Sequence, residues 1–163
     1  MQSNWLYLIA FVLLIDGCAS LGPAPPVASP APPPARAERS EALLQALLAL
    51  GVDYRYGGKS PATGFDCSGL VAYVYREAWG VRLPPNTAAQ SQAGVPVSLA
   101  ELQAGDLVFY NTQKQPFSHV GIYVGDGKFV HAPKTGAQVR IESLQGSYWV
   151  RRFDGARRIE PPL

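Results

Sequence analysis

His119-Val120-Gly121-Ile122-Tyr123-Val124-Gly125-Asp126-Gly127-Lys128-Phe129-Val130-His131 reads HVGIYVGDGKFVH, two runs rich in β-branched and aromatic residues around a Gly-Asp-Gly break. The pattern predicts an antiparallel hairpin, and the register of that hairpin decides what it presents. A three-residue loop, Gly125 to Gly127, pairs Val124 with Lys128 and hence Gly121 with His131, so the two imidazoles stand on one face. A two-residue loop would pair Ile122 with His131 and send the rings to opposite faces. Three-residue loops commonly carry a type I turn followed by a residue with positive φ, and Gly127 holds that third position. These are the only two histidines of the chain, and the register makes them diagonal neighbours, roughly 7 to 8 Å apart at the backbone.

Further short β-rich runs flank the hairpin: Asp106 to Tyr110 before it, Val139 to Ile141 and Tyr148 to Arg152 after it. Upstream the period changes to helical. Ser40 reads as a cap, with Glu41 in the first turn, apolar residues at helical spacing and Gly51 as the stop. After Tyr54-Arg55-Tyr56-Gly57-Gly58 and a polar loop, Asp66 caps a second helix from Cys67 to about Trp79, closed by Gly80, with Leu70, Val71, Val74 and Ala78 as its buried stripe. Leu83 to Gly94 reads as a proline-entered turn or a short helix. Helices first and antiparallel strands second define an α+β class, with helices packed on a bent antiparallel sheet of about five to six strands.

Composition narrows the functions open to such a domain. With 47% hydrophobic and 16% charged residues and a net charge of +2, the chain is globular and lacks the excess of positive charge that binds nucleic acid. Arg151, Arg152, Arg157 and Arg158 cluster near the end and read as a solvated basic tail, or as a patch attracted to an anionic wall polymer or lipid surface.

Cys67 opens the second helix, where free backbone N–H groups and the positive end of the helix dipole favour a thiolate. Read alone, it is a small buried thiol, half of a disulfide, a zinc ligand or a nucleophile. The two histidines on one strand face supply what the last of these needs: a base, and a group that holds the base in the right tautomer. A zinc site built from Cys67, His119 and His131 lacks the compact spacing of metal motifs, so no metal or cofactor is expected. Acyl transfer also needs oxyanion donors; the backbone N–H of Cys67 supplies one and Tyr54 is a candidate for another.

The first residues differ from the rest. Leu6 to Ile15 is an apolar run of signal-peptide length, short of the ~20 residues that span a bilayer. It ends in Ile15-Asp16-Gly17-Cys18, which resembles a bacterial lipoprotein box. Asp16, and the lack of Lys or Arg ahead of the apolar run, depart from that pattern. Residues 1–17 are thus expected to be a signal peptide, and residues 18–39 a lipidated Cys18 on a Pro/Ala-rich, polyproline-like tether. An acylated Cys18 has no thiol left to pair with Cys67. Ala19 after it, rather than Asp, is compatible with sorting to the outer membrane, facing the periplasm, in a Gram-negative cell.

Four motifs in order, YRYGG, FDCSGLV, LQAGDLVFY and SHVGIYVGDGKFVHAP, resemble the NlpC/P60 family of bacterial cell-wall cysteine endopeptidases over about residues 40–158. The resemblance implies a papain-like fold, hydrolysis of an amide bond in peptidoglycan stem peptides or cross-links, no cofactor and a monomer. Residue by residue, it implies Cys67 as nucleophile, His119 as base, His131 as the polar residue orienting that base, and Tyr54 as an oxyanion helper. It also implies Asp66, Ser68 and Ser118 along the substrate groove. The family's Leu-Pro-Arg is Leu83-Pro84-Pro85 here, which removes a cation or passes its role to another residue. Asp53 stands where the family commonly has proline. A wall-binding lipoprotein without turnover, and an amidase or acyltransferase using the same triad, are the alternative functions. Residues 159–163 are expected to be a tail.

Overall fold

The computed structural model describes residues 34–162. The expected signal segment, Cys18 and most of the tether lie outside these residues. The first helix, α1, spans Pro34–Leu48, six residues earlier than the expected Ser cap. Proline at the first helical position loses no hydrogen bond, and the Ala, Arg and Glu after it are strong helix formers, so the Pro/Ala-rich stretch ends inside the helix. Ala42 and Ala46 form its buried stripe, continued by Ala49 in the turn that follows.

A two-stranded ribbon of β1 (Lys59–Ser60) and β2 (Gly64–Phe65) fills the expected polar loop. It leads into α2 (Cys67–Trp79), whose ends match the sequence reading. Asp66 caps the helix from an extended conformation, and Gly80 ends it at φ 66°. Asn86 caps the four-residue α3 (Thr87–Gln90).

The main sheet has six antiparallel strands: β3 (Val95–Val97), β4 (Leu107–Tyr110), β5 (His119–Gly125), β6 (Lys128–His131), β7 (Arg140–Ser143) and β8 (Phe153–Arg158). Their order is β3-β8-β4-β5-β6-β7. The single turn α4 (Ser147–Val150) occupies part of the stretch expected to be a strand, and the strand follows it. Tyr148 and Trp149 suit either state, whereas pairing with both β3 and β4 needs the longer run from Phe153. Arg157 and Arg158 therefore belong to the sheet rather than to a basic tail. Ile159 is buried in the core and Glu160 pairs with Arg39, so the fold continues past residue 158.

Alternation along the strands separates two apolar layers. Leu107, Phe109, Val120, Ile122 and Val130 pack against α1 and α2. Val108, Tyr110, Phe129 and Ala156 face the other way and cluster with Trp149 of α4.

The hairpin has the expected register near its histidines but a different loop. Ile122 pairs with Val130 and Tyr123 with Phe129, which continues to Gly121 opposite His131. At the turn, Gly125 pairs with Lys128, so the loop is Asp126-Gly127, two residues with φ of 51° and 67°. Positive φ at both is the signature of a type I′ turn. Val124 is bulged out of the ladder between Tyr123 and Gly125. The bulge adds the residue that a two-residue loop lacks and restores the parity of the strand.

Candidate active site

The start of α2 is built from close backbone approaches. Asp66 Oδ1 accepts hydrogen bonds from the Gly69 N–H (2.7 Å) and the Ser68 hydroxyl (3.0 Å), and its Oδ2 accepts from the Gly57 N–H (2.8 Å). A Cβ on Gly69 would lie 2.0 Å from the Gly58 carbonyl oxygen, and one on Gly58 would lie 2.3 Å from that of Gly64. Gly58 of the YGG motif and Gly69 of the CSG motif are thus demanded by packing, which presses the Tyr54–Gly58 segment onto the first turn of the helix, whereas Gly57 is required by its φ of 72°.

Cys67 is a partly buried free thiol at this turn. Backbone N–H groups of Val120, Ser68 and Cys67 itself point to the sulfur and favour the thiolate, but burial, joined by the nearby Asp66 carboxylate, outweighs them and pushes the thiol up to about 11 from 9.0. The expected thiolate stabilisation by the helix start is present and loses to desolvation. The thiol is therefore protonated at neutral pH. Val120 directly follows His119, so the thiol lies against the opening of β5.

His119 and His131 come together as the register requires. His119 Nε2 and His131 Nδ1 are 2.8 Å apart, with the rings nearly perpendicular. Both rings are buried, on the sheet face that carries Tyr110, Phe129 and Trp149. Trp149 stacks on His119 and meets His131 edge-on. Burial lowers His119 from 6.5 to about 4 and His131 from 6.5 to about 2, the second also through repulsion from His119 and Arg140. Both imidazoles are neutral at neutral pH. His131 takes Nε2 of His119, so Nδ1 is the nitrogen of that ring not engaged by His131. Among the described residues, no group of three or more His, Cys, Asp or Glu side chains is placed to hold a metal ion.

Tyr54 stands beside Cys67 and Asp66; burial first, then those two neighbours, raise its phenol above 10.0. Ser68 lines a cavity of about 390 Å³ with Lys59, Tyr73, Arg76, Arg82 and Pro85. Three cations therefore line the same cavity as Pro85. Asp66 spends both carboxylate oxygens on the cap and the Gly57 tie. Ser118 is turned inward: its hydroxyl accepts from the N–H groups of Thr112 (3.0 Å) and Gln113 (3.2 Å) and donates to the Tyr110 carbonyl (3.4 Å). It fixes the loop ahead of His119 rather than presenting a polar group outward.

Two contributors were not visible in the sequence. Trp149, read as a strand residue, forms the wall against both imidazoles. Glu142, one residue past the expected strand, accepts from Trp149 Nε1 (3.0 Å) and lies 3.9 Å from His131. No local motif marks either residue, because the β6–β7 pairing and the α4 turn bring them in. A cavity of about 370 Å³ opens beside His119 between Lys134, Arg140, Tyr148 and Trp149.

A helix that delivers a cysteine against a strand leading with a paired imidazole is the arrangement of the papain-like cysteine peptidase fold. The NlpC/P60 sequence pattern matches residues 51–158, and the chain belongs to that family. It is 47% identical over 116 residues to murein DD-endopeptidase MepH of Escherichia coli, covering 69% of this chain and 43% of that protein. Gamma-DL-glutamyl hydrolase of Bacillus subtilis is 41% identical over 112 residues, 68% of this chain and 27% of the relative. The matched region is thus under half the length of these two relatives. Among solved structures, an NlpC/P60 family protein from Bacillus cereus superposes with a TM-score of 0.70 at 34% identity, over 76% of this chain and 40% of the other. The NlpC/p60 domain of the peptidoglycan hydrolase SagA gives 0.65 at 34% identity, over 74% of this chain and 98% of that domain.

Proposed function

We propose that this protein is an exported cysteine peptidase that hydrolyses an amide bond in peptidoglycan stem peptides or their cross-links. The observation that carries the reading is the 2.8 Å contact between His119 and His131, on a strand whose next residue, Val120, turns its backbone N–H to the Cys67 thiol. In the mechanism, Nδ1 of His119 takes the Cys67 proton as the sulfur attacks the amide carbonyl. The imidazolium returns that proton to the leaving amine, an acyl-enzyme forms, and a water activated by His119 releases it. The Cys67 backbone N–H and the Tyr54 hydroxyl donate to the oxyanion. Ser68, with Lys59, Arg76 and Arg82 around it, receives carboxylate-bearing parts of the stem peptide, in place of the family's arginine at Pro85.

The names of the relatives support this substrate class, murein endopeptidases and a gamma-glutamyl hydrolase among them. The test is digestion of purified peptidoglycan by the full chain and by Cys67→Ala, with mass analysis of the fragments. Cleavage that disappears in the variant is expected, and the fragment masses assign the bond. No wild-type cleavage would overturn the reading, and equal cleavage by the variant would overturn the nucleophile.

Delivery to the wall belongs to the same proposal. Residues 1–17 serve as signal peptide and Cys18 carries lipid, which tethers a monomeric enzyme to the membrane, the outer one in a Gram-negative cell. Among the described residues no helix is long and apolar enough to cross a membrane. Metabolic palmitate labelling should disappear with Cys18→Ser; labelling that persists would sink the anchor.

A further inference from the structure

The pair of imidazoles does not by itself fix where its protons sit. Two neutral rings 2.8 Å apart share one hydrogen between them, and two arrangements are possible. In the first, His119 Nε2–H donates to His131 Nδ1; His119 keeps a bare Nδ1, and the His131 proton sits on Nε2. In the second, His131 Nδ1–H donates to His119 Nε2; the His119 proton then sits on Nδ1, and the ring has no basic nitrogen for a thiol.

His131 Nε2 is buried without a hydrogen-bond partner among the described residues, and the Glu142 carboxylate lies 3.9 Å from it. Glu142 is not loosely placed. On β7 it lies two residues beyond Arg140, the partner of His131, so it shares a sheet face with that ring. Its Oε2 accepts from Trp149 Nε1 (3.0 Å) and its Oε1 from Arg140 Nε (2.8 Å). The groups around His131 are His119 from β5, Phe129 of its own strand, Arg140 and Glu142 from β7, and Trp149 from α4. Glu142 is the only anion of that set. The first arrangement puts an N–H dipole toward the carboxylate. The second puts a nitrogen lone pair toward it, in a setting where little water screens the repulsion.

We infer that Glu142 is a positioning residue of this site: it selects the Nε2–H tautomer of His131 and so leaves His119 Nδ1 free to accept a proton. This rests on the functional reading above for its consequence, though not for its measurement. No proton reaches Glu142 during turnover. The Cys67 proton moves to His119 Nδ1 and then to the leaving amine, and the 3.9 Å gap is available to close when the imidazolium charge forms.

The test exploits the presence of two histidines in the sequence. In the full chain with ¹⁵N-labelled histidine, both rings of the wild type should show the Nε2–H tautomer. Glu142→Gln should convert His131 to Nδ1–H, because the amide oxygen satisfies Trp149 Nε1 and turns the NH₂ toward His131. On peptidoglycan, Glu142→Gln should lower kcat by about tenfold or more with KM nearly unchanged, since a wrong tautomer in a triad has that consequence. It should also be at least as damaging as Glu142→Ala, whereas a merely structural carboxylate would make alanine the worse change. Wild-type rings in the other tautomer, or rings that Glu142→Gln leaves unaltered, overturn the inference. Absence of peptidoglycan cleavage by the wild type overturns only the functional reading, because the tautomers are measured without turnover.

Discussion

At the residue scale, the site is a set of groups held neutral by burial. His119 titrates near 4 rather than 6.5, and Cys67 near 11 rather than 9.0. In the proposed mechanism the competent form, neutral thiol with neutral imidazole, then spans the neutral range. kcat/KM should be flat there, with its acid limb near 4 and its alkaline limb near 11. An acid limb at 6.5 would mean that the imidazole is hydrated rather than enclosed. Stability moves in the same sense. Below 6.5 the unfolded chain binds a proton on each histidine that the folded chain refuses, so stability falls as pH drops from 6.5 toward 4. Urea denaturation across that window measures the fall, and a stability independent of pH there would contradict the burial. The meeting of His119 with His131 was legible in the sequence because residue parity along a strand is a strict rule. Glu142 and Trp149 were not, since their places depend on pairing between strands that no turn residue encodes.

At the element scale, the helix start was fully legible and the sheet edges were not. Asp66, Cys67 and Gly80 mark α2 by capping chemistry that acts within four residues. β8 carries Gly155 and two arginines in place of a β-branched run, and β3 has Pro96 at its centre, which an edge strand tolerates because one side of its backbone stays unpaired. Neither looks like a strand until the sheet exists. The hairpin is an intermediate case: its register is read correctly, yet the Val124 bulge with an Asp126-Gly127 turn replaces the three-residue loop, because both have the same parity. For α2, the expected outcome separates charge from cap. Asp66→Ala removes the acceptor of the Gly69 N–H and the tie to Gly57, and should cost about 1–2 kcal/mol in urea denaturation. Asp66→Asn keeps the cap oxygen and should retain most of that stability. If both changes also reduce peptidoglycan cleavage equally at full folding, the carboxylate charge contributes to substrate binding. If Asn alone is active, Asp66 acts by holding Cys67 in place.

At the scale of the whole molecule, helices and sheet are locked by one buried carboxylate. Asp106, at the head of β4, has no solvent exposure and receives Arg158 of β8 in a bidentate pair, Nε to Oδ1 at 2.8 Å and Nη2 to Oδ2 at 2.7 Å. Its Oδ2 also accepts from the Gln103 N–H at 2.7 Å, and Arg39 of α1 approaches Oδ1 at 3.6 Å while bonding Glu160. The first helix, the centre of the sheet and the segment after β8 therefore meet at a single charge. Such a pair contributes little net stability over an apolar pair of similar size, because both charges were dehydrated to form it. Removing one partner is another matter. Arg158→Ala leaves Asp106 buried beside Arg39 as its remaining cation and should cost about 3 kcal/mol, the lower end of the usual 3–5 for a broken buried pair. Joint replacement, Asp106→Leu with Arg158→Met, removes both charges and should cost clearly less than Arg158→Ala alone. Urea denaturation of the three variants and the wild type decides the point. If the joint replacement proved worse than the single one, the pair would be a net source of stability, and α1 would owe its position to the charge rather than to the alanine stripe beneath it.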